Sequence, residues 1–439
     1  MDKHFYKRSI FISALMLLSM LTSSVYAQWQ RVQFFDAAYS GYVTKSGNLL
    51  VSDYQFYGDG GIFISEDGGH SWEKTLVMDY AYNKFYAYGD YIYALGYGAH
   101  IARSEDEGKT WKLCNYRETL DGIMDAEDMD ATVAYGITEH KGKLYVADFS
   151  GGGVIYSEDY GDTWKRTDVE SLKYSVDGGQ SYTENIYQLV SFKDHLYAFG
   201  VFYVFEYNEA EDKWIPVRDD SNFMAVSTIH DGNLYCGRSC PNDDPDAAFL
   251  EMTSDFNEWT ILRGPQELIT RNVRVLASDD KYIYVATQDR GAFMYDTSTN
   301  KWYNLCDGYP ELNPGDSAFK GQYMSPTQIF TDEENVYLII YDFPGSQSMA
   351  AGLYKFPKEE LERRTSITEV EISSSFYIDG DNIIFNEEDV RDVVIYDISG
   401  KQVIRNNGST QVNISILKQG IYVIEAVTST TKIRGKIII

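Results

Sequence analysis

Ser65-Glu66-Asp67-Gly68-Gly69-His70-Ser71-Trp72, Ser104-Glu105-Asp106-Glu107-Gly108-Lys109-Thr110-Trp111 and Ser157-Glu158-Asp159-Tyr160-Gly161-Asp162-Thr163-Trp164 are one pattern written three times, S-E-D-x-G-x-[ST]-W. Each copy follows a short apolar run such as Gly61-Ile62-Phe63-Ile64, so the pattern reads as a turn between two strands. The Asp carboxylate can accept hydrogen bonds from turn amides and from the Ser/Thr hydroxyls, while Gly supplies the positive φ of a tight turn. The Trp opens the outgoing strand and buries a large ring between neighbouring sheets. Ser65, Asp67, Gly69, Trp72, Ser104, Asp106, Gly108, Trp111, Ser157, Asp159, Gly161 and Trp164 are therefore assigned structural roles. Weaker echoes at Glu211-Asp212-Lys213-Trp214, Ser254-Asp255-Phe256-Asn257-Glu258-Trp259 and Thr297-Ser298-Thr299-Asn300-Lys301-Trp302 keep the turn and the Trp but lose the glycine.

A second series runs in step with the first: Leu49-Leu50-Val51, Ile92-Tyr93-Ala94, Leu144-Tyr145-Val146, Leu196-Tyr197-Ala198, Leu234-Tyr235-Cys236, Ile283-Tyr284-Val285 and Val336-Tyr337-Leu338. A turn precedes nearly every one, as at Lys141-Gly142 or Asp279-Asp280, and before that turn comes another strand, as in Val273-Arg274-Val275-Leu276. Each unit thus reads as four antiparallel strands over ~40–50 residues, the period of a propeller blade. Seven middle strands predict seven blades. Trp72, Trp111, Trp164, Trp214, Trp259 and Trp302 close six of them, and the seventh has no Trp after its third strand, Gly352-Leu353-Tyr354-Lys355-Phe356. The remaining Trp is Trp29, in Trp29-Gln30-Arg31-Val32-Gln33-Phe34, so the N-terminal strand is expected to complete the last blade and close the ring.

The rhythm changes after a charged stretch, Lys358-Glu359-Glu360-Leu361-Glu362-Arg363-Arg364. The strands that follow, with the Ser399-Gly400-Lys401 turn between two of them, predict a small Ig-like β-sandwich. The expected organisation is a signal peptide over 1–27, an all-β seven-bladed propeller over 28–357, a linker over 358–367 and a C-terminal domain over 368–439.

Val393-Val394-Ile395-Tyr396-Asp397-Ile398-Ser399-Gly400-Lys401-Gln402-Val403, Leu417-Lys418-Gln419-Gly420-Ile421-Tyr422-Val423-Ile424 and the closing Lys436-Ile437-Ile438 resemble, in that order, the type A C-terminal sorting domain of the type IX secretion system. That resemblance implies transport across the outer membrane by the type IX machinery, followed by release or surface attachment. The three turns resemble the Asp-box (BNR) repeats of sialidases, sortilin-type receptors, xyloglucan-cleaving hydrolases and photosystem assembly factors. So varied a set of activities makes the repeat a marker of architecture.

The N-terminus fits export as well. Lys3, Lys7 and Arg8 form a positive end, Ile10 to Leu21 is an apolar run too short to span a bilayer comfortably, and Val25-Tyr26-Ala27 offers a cleavage site. No later stretch is long enough to cross a membrane, so no transmembrane segment is expected after signal removal. The net charge of −28 repels phosphate backbones and anionic lipid surfaces, which disfavours nucleic-acid and peripheral membrane binding. Of the four cysteines, Cys236 and Cys240 are close enough to bridge across a loop. Neither a metal nor any other cofactor is expected, since a zinc site would want tighter pairs with partner His residues.

Propellers bind where strand-connecting loops converge, and aromatic faces beside carboxylates and amides suit sugar rings. Tyr82, Tyr86, Tyr116, Tyr182, Tyr323 and Arg274 are the candidate ligand-binding residues, although part of the Tyr80–Tyr88 run must be strand, dividing its tyrosines between core and rim. No catalytic residue stands out. Sialidases carry an R-I-P motif that Gln30 to Tyr39 lacks; Arg238, Arg271, Arg274 and Arg290 share a repeat phase but also suit scattered surface pairing. Asp121, Asp125, Glu127, Asp128 and Asp130 fit a solvated acidic loop. The expected protein is an exported, non-catalytic binding module for extracellular glycan or protein, the alternative being a secreted glycoside hydrolase of sialidase-like architecture.

Overall fold

The computed structural model describes residues 28–35, 37–53, 60–77, 82–98, 100–114, 116–120, 133–148, 153–175, 181–219, 226–238, 250–264, 272–312, 322–341, 350–361, 376–379, 382–385, 389–397, 401–418, 421–429 and 432–438. The signal segment 1–27, Cys240, Arg271 and the acidic stretch 121–130 lie outside them, as does the disulfide expected at Cys236. The chain divides after Lys358 into two compact units.

Among the described residues, the first unit holds seven four-stranded antiparallel sheets. Six are consecutive in the chain and open with the strands Ala38–Val43, Tyr82–Tyr88, Ala134–His140, Ile186–Phe192, Val226–His230 and Val273–Ser278. The seventh opens with Pro326–Thr331, continues through Asn335–Ile340 and Gly352–Pro357, and takes its fourth strand, Gln30–Gln33, from the other end of the unit. Gln30 pairs with Lys355, Arg31 with Tyr354 and Gln33 with Leu353.

Opening strands lie against one another in chain order: the first on the second, then the third, then the fourth, and likewise from the fifth to the seventh. Gln188 Nε2 of the fourth donates to Ser227 Oγ of the fifth at 2.7 Å. The seventh meets the first, where Gln328 Oε1 accepts from Ser40 Oγ at 2.8 Å and from Gly41 N at 2.7 Å. Gly41 has no room for a side chain, because a Cβ there would stand 2.6 Å from the Phe330 ring.

Each turn of the Ser-x-Asp pattern is held by the same set of bonds. Ser65 Oγ donates to Asp67 Oδ1 at 2.8 Å and accepts from Gly69 N at 2.8 Å. Asp67 also accepts from Ser71 N at 2.8 Å and from Ser71 Oγ at 2.6 Å. Those two Ser71 bonds hold the Asp67 carboxyl well below the ordinary carboxylate range. Asp106 and Asp159 repeat the arrangement with Thr110 and Thr163. Gly69 takes φ 95°, the left-handed geometry the turn requires.

The tryptophans explain how one sheet finds the next. Trp111 Nε1 donates to Thr75 Oγ1 of the preceding sheet at 3.1 Å, Trp164 Nε1 to Cys114 O at 3.2 Å, and Trp214 Nε1 to Thr167 Oγ1 at 2.9 Å. Trp29, only 4 % exposed, does the same for the seventh sheet, donating to Leu305 O at 2.6 Å. Tyrosines serve a related end. The rings of Tyr284 and Tyr337 are buried in middle strands while their hydroxyls donate to the turn carboxylates of Asp279 (2.7 Å) and Asp332 (2.8 Å). A buried ring with a polar tip suits such a place, which accounts for part of the 37 Tyr.

The second unit has a three-stranded sheet of Phe376–Asp379, Asn382–Phe385 and Gln411–Asn413, and a four-stranded sheet of Asp392–Asp397, Gln402–Asn406, Ile421–Val427 and Lys432–Ile438. Side chains from both sheets, among them Phe376, Ile383, Ile395, Val412, Ile424 and Ile433, form one apolar core.

Candidate functional site

Antiparallel order puts the turns between first and second, and third and fourth, strands at one end of every sheet. The Ser-x-Asp turns therefore occupy the end opposite the starts of the opening strands. At those starts, six opening strands carry an irregularity at their second residue: Tyr39, Asn83, Tyr135, Tyr187, Arg274 and Thr327. Such bulges break the pleat and re-aim the side chain they contain.

Three of these residues are tyrosines, and they meet. Tyr39 shares a hydrogen bond with Tyr135, which shares another with Tyr97, the residue after the middle strand Tyr91–Gly96. The Tyr39 and Tyr341 rings lie 6.0 Å apart at 71°, and those of Tyr135 and Tyr187 lie 5.9 Å apart at 57°. All five are half-buried. Burial pushes the phenols of Tyr39, Tyr135 and Tyr187 above their ordinary value, so at neutral pH each keeps its proton and can donate. The exposed Arg274 is near enough to Tyr39 to oppose that rise.

Beside Tyr187 stands Glu184, fully buried. Its Oε1 accepts from Val201 N at 2.7 Å and Phe202 N at 3.3 Å, while Oε2 has no partner among the described residues. Burial pushes this carboxyl up despite those bonds. The Tyr174 ring, next to it, lies 6.2 Å from Tyr182 and 5.2 Å from Phe202, both of which are exposed.

One residue deeper, past the bulge, the opening strands carry Ser40, Lys84, Gly136, Gln188, Val275 and Gln328. Four of these six are polar, which is informative, because enclosed strand positions are ordinarily apolar. Lys84 has water against part of its side chain but is otherwise enclosed by protein. That burial pushes its ammonium down to about 8 from 10.5, with no charged group among the described residues acting on it. Both amide atoms of Asn83 and the Oε1 of Gln188 are buried without partners among the described residues.

A lysine whose folded pKa lies below its unfolded value holds fewer protons folded than unfolded between the two. Its charge therefore destabilises the fold below about 8, and stability is regained as pH rises from there towards 10.5. Lys84→Met is expected to stabilise the protein at neutral pH, by at most on the order of 3 kcal/mol given its partial opening to water. Urea midpoints of variant and wild type should differ most at pH 7 and converge by pH 10.5.

The residues named from sequence fare unevenly. Tyr82 and Tyr116 are fully buried and offer no face to a ligand, which corrects the expectation for both. Tyr82 packs with Ile62, Phe85 and Ala94, and the Tyr116 hydroxyl donates to Asp148 at 3.0 Å. Tyr86 accepts from Glu139 N at 2.8 Å, further along its strand than the tyrosine group. Tyr323 stacks edge-on against Tyr309 at 5.4 Å, and burial pushes its phenol up to about 12. Tyr182 joins Tyr174, and Arg274 alone stands with the central group. Tyr39, Tyr135 and Tyr187 escaped notice, though Ala38-Tyr39-Ser40, Ala134-Tyr135-Gly136 and Ile186-Tyr187-Gln188 hold one register in three repeats. Among the described residues, no group of three or more His, Cys, Asp and Glu could hold a metal, and no helix is long and apolar enough to cross a membrane.

These features define an all-β protein of propeller-like fold. Residues 373–439 match the family of secretion system C-terminal sorting domains, which marks proteins sent by the type IX system to the cell surface or beyond. Among solved β-propeller structures, the chain is similar to YCF48 from Cyanidioschyzon merolae, at 14% identity over 76% of this chain and 99% of that one, with a TM-score of 0.51. It is also similar to the extracellular domain of the hybrid two component system BT3049 from B. thetaiotaomicron, at 13% identity over 94% of this chain and 57% of that one, with a TM-score of 0.52. Likeness at this identity speaks to fold alone. No curated protein matches the chain at a significant level.

Proposed function

We propose that the chain is an exported seven-bladed propeller of the Asp-box type whose tyrosine-lined mouth binds an extracellular glycan. Seven four-stranded sheets with contacting opening strands, and a fourth strand lent by residues 30–33 to the last, support a ring closed at the N-terminus. On this reading residues 1–27 are a removable signal, and the tail is an Ig-like sandwich that addresses the secretion machinery.

The observation that carries the binding function is the group of Tyr39, Tyr97, Tyr135, Tyr187 and Tyr341. Half-buried rings offer faces to sugar C–H groups, and their protonated hydroxyls offer donors and acceptors to sugar hydroxyls. Glu184 favours a second reading, a glycoside hydrolase, because burial pushes its carboxyl upward, the direction that suits a general acid. Incubation of the secreted protein with a panel of extracellular polysaccharides separates the two. Retention without release of reducing sugar is expected; turnover abolished by Glu184→Gln would replace binding by hydrolysis, and capture of a protein ligand with no polysaccharide retained would sink the glycan reading.

A further inference from the structure

An enclosed ammonium with no counter-charge among the described residues is a costly thing to keep, and the strand that carries Lys84 gives it polar company that is equally unmet among them. Asn83 precedes it at the bulge with both amide atoms orphaned, and Gln188, at the same register two sheets away, has a free acceptor among the described residues. Asn83 lies level with Tyr39 and Tyr135 of the flanking opening strands, and Lys84 one step further in. We propose that Lys84 and Asn83 form a carboxylate-binding site, and that the glycan is an acidic one that seats a uronate-type carboxylate on the Lys84 ammonium.

This inference rests on the glycan reading above and names its substrate class. An ammonium supplies a point charge and three donors, and the Asn83 amide adds a donor for the second carboxylate oxygen. A single enclosed cation neutralises a monoanion. A phosphate or sulfate cluster would call for more than one cation, and the overall charge of −28 opposes multiply charged ligands. Arg274, exposed beside Tyr39, gives the approach a second positive group without adding to the enclosed charge.

The test uses oligosaccharides carrying a single galacturonate, glucuronate or mannuronate residue, each beside its carboxyl-reduced counterpart, with acetate as the minimal anion. In the wild type the charged oligosaccharide of at least one pair should bind ten-fold or more tighter than its neutral counterpart. Lys84→Met should erase that preference while retaining binding of the neutral one, and Lys84→Arg should keep most of it. Acetate should shift the signal of Lys84 saturably in reductively 13C-methylated protein. Equal affinity for charged and neutral sugars, or an undiminished preference in Lys84→Met, overturns the acidic-glycan inference and leaves the glycan reading standing. A saturable acetate shift with no oligosaccharide bound keeps the anion site but removes the glycan reading. Absence of any acetate effect at Lys84 overturns the site itself, and tight binding of a glutamate tetrapeptide in place of every sugar reassigns its occupant to a peptide.

Discussion

Trp29→Ala is expected to lower the stability of the first unit by about 3–5 kcal/mol, and deletion of residues 28–35 to leave no soluble folded protein. The indole is 4 % exposed and meets Phe356 and Tyr309 edge-on at 5.5 and 6.1 Å. Its Nε1–H satisfies Leu305 O at 2.6 Å, and its backbone N–H satisfies Asp307 O at 2.9 Å. Truncation would leave a cavity between the sixth and seventh sheets and a buried carbonyl without a donor, and the two costs add. Deletion goes further. It unpairs the edge of Gly352–Pro357 and withdraws Phe35, whose ring meets Trp72 at 5.1 Å, from the first sheet. Against a domain stability of ~5–15 kcal/mol, few folds would survive that. Urea denaturation of the point variant, and the soluble fraction of the deletion, measure both. A change below ~1 kcal/mol for Trp29→Ala would mean that this strand does not secure the sheet.

Removal of residues 368–439 should have the opposite signature, no loss of fold and complete loss of export. The first unit has its own buried clusters, and the tail gathers its core from its own strands, so neither needs the other to bury apolar surface. The tail is the segment that matches the sorting-domain family. Immunoblots of cell fractions should find the truncated protein in the periplasm and none outside, with a urea midpoint unchanged for the propeller unit. Stable truncated protein in the medium would show that the address lies elsewhere.

How legible these features were depended on how far apart their parts lie in the chain. The Ser-x-Asp turn keeps all its partners within a few residues, so the pattern at Asp67, Asp106 and Asp159 carries its own hydrogen bonds. The all-β character follows from repeated alternation, and even the distant pairing of Gln30–Gln33 was accessible from one missing tryptophan. The site was not. Tyr39, Tyr135 and Tyr187 come from three repeats and meet only because each sits in the bulge of its strand, a register that only alignment of the repeats exposes. Tyr82 looked like a rim residue in a tyrosine-rich run, but it precedes the bulge and faces the core instead. Lys84 is hidden for the same reason. A lysine in a strand ordinarily marks a solvated face, and nothing local tells that its neighbours enclose it.

The central claim is that the ends of the opening strands form the working surface. Tyr39→Ala and Tyr187→Ala, compared with Tyr160→Ala at the opposite end, should be placed on a glycan array with the wild-type secreted protein. The account predicts that the first two lose binding ten-fold or more while keeping wild-type folding, and that Tyr160→Ala binds as the wild type does. Unchanged binding in Tyr39→Ala and Tyr187→Ala, with loss in Tyr160→Ala, would move the site to the turn-bearing end and contradict it.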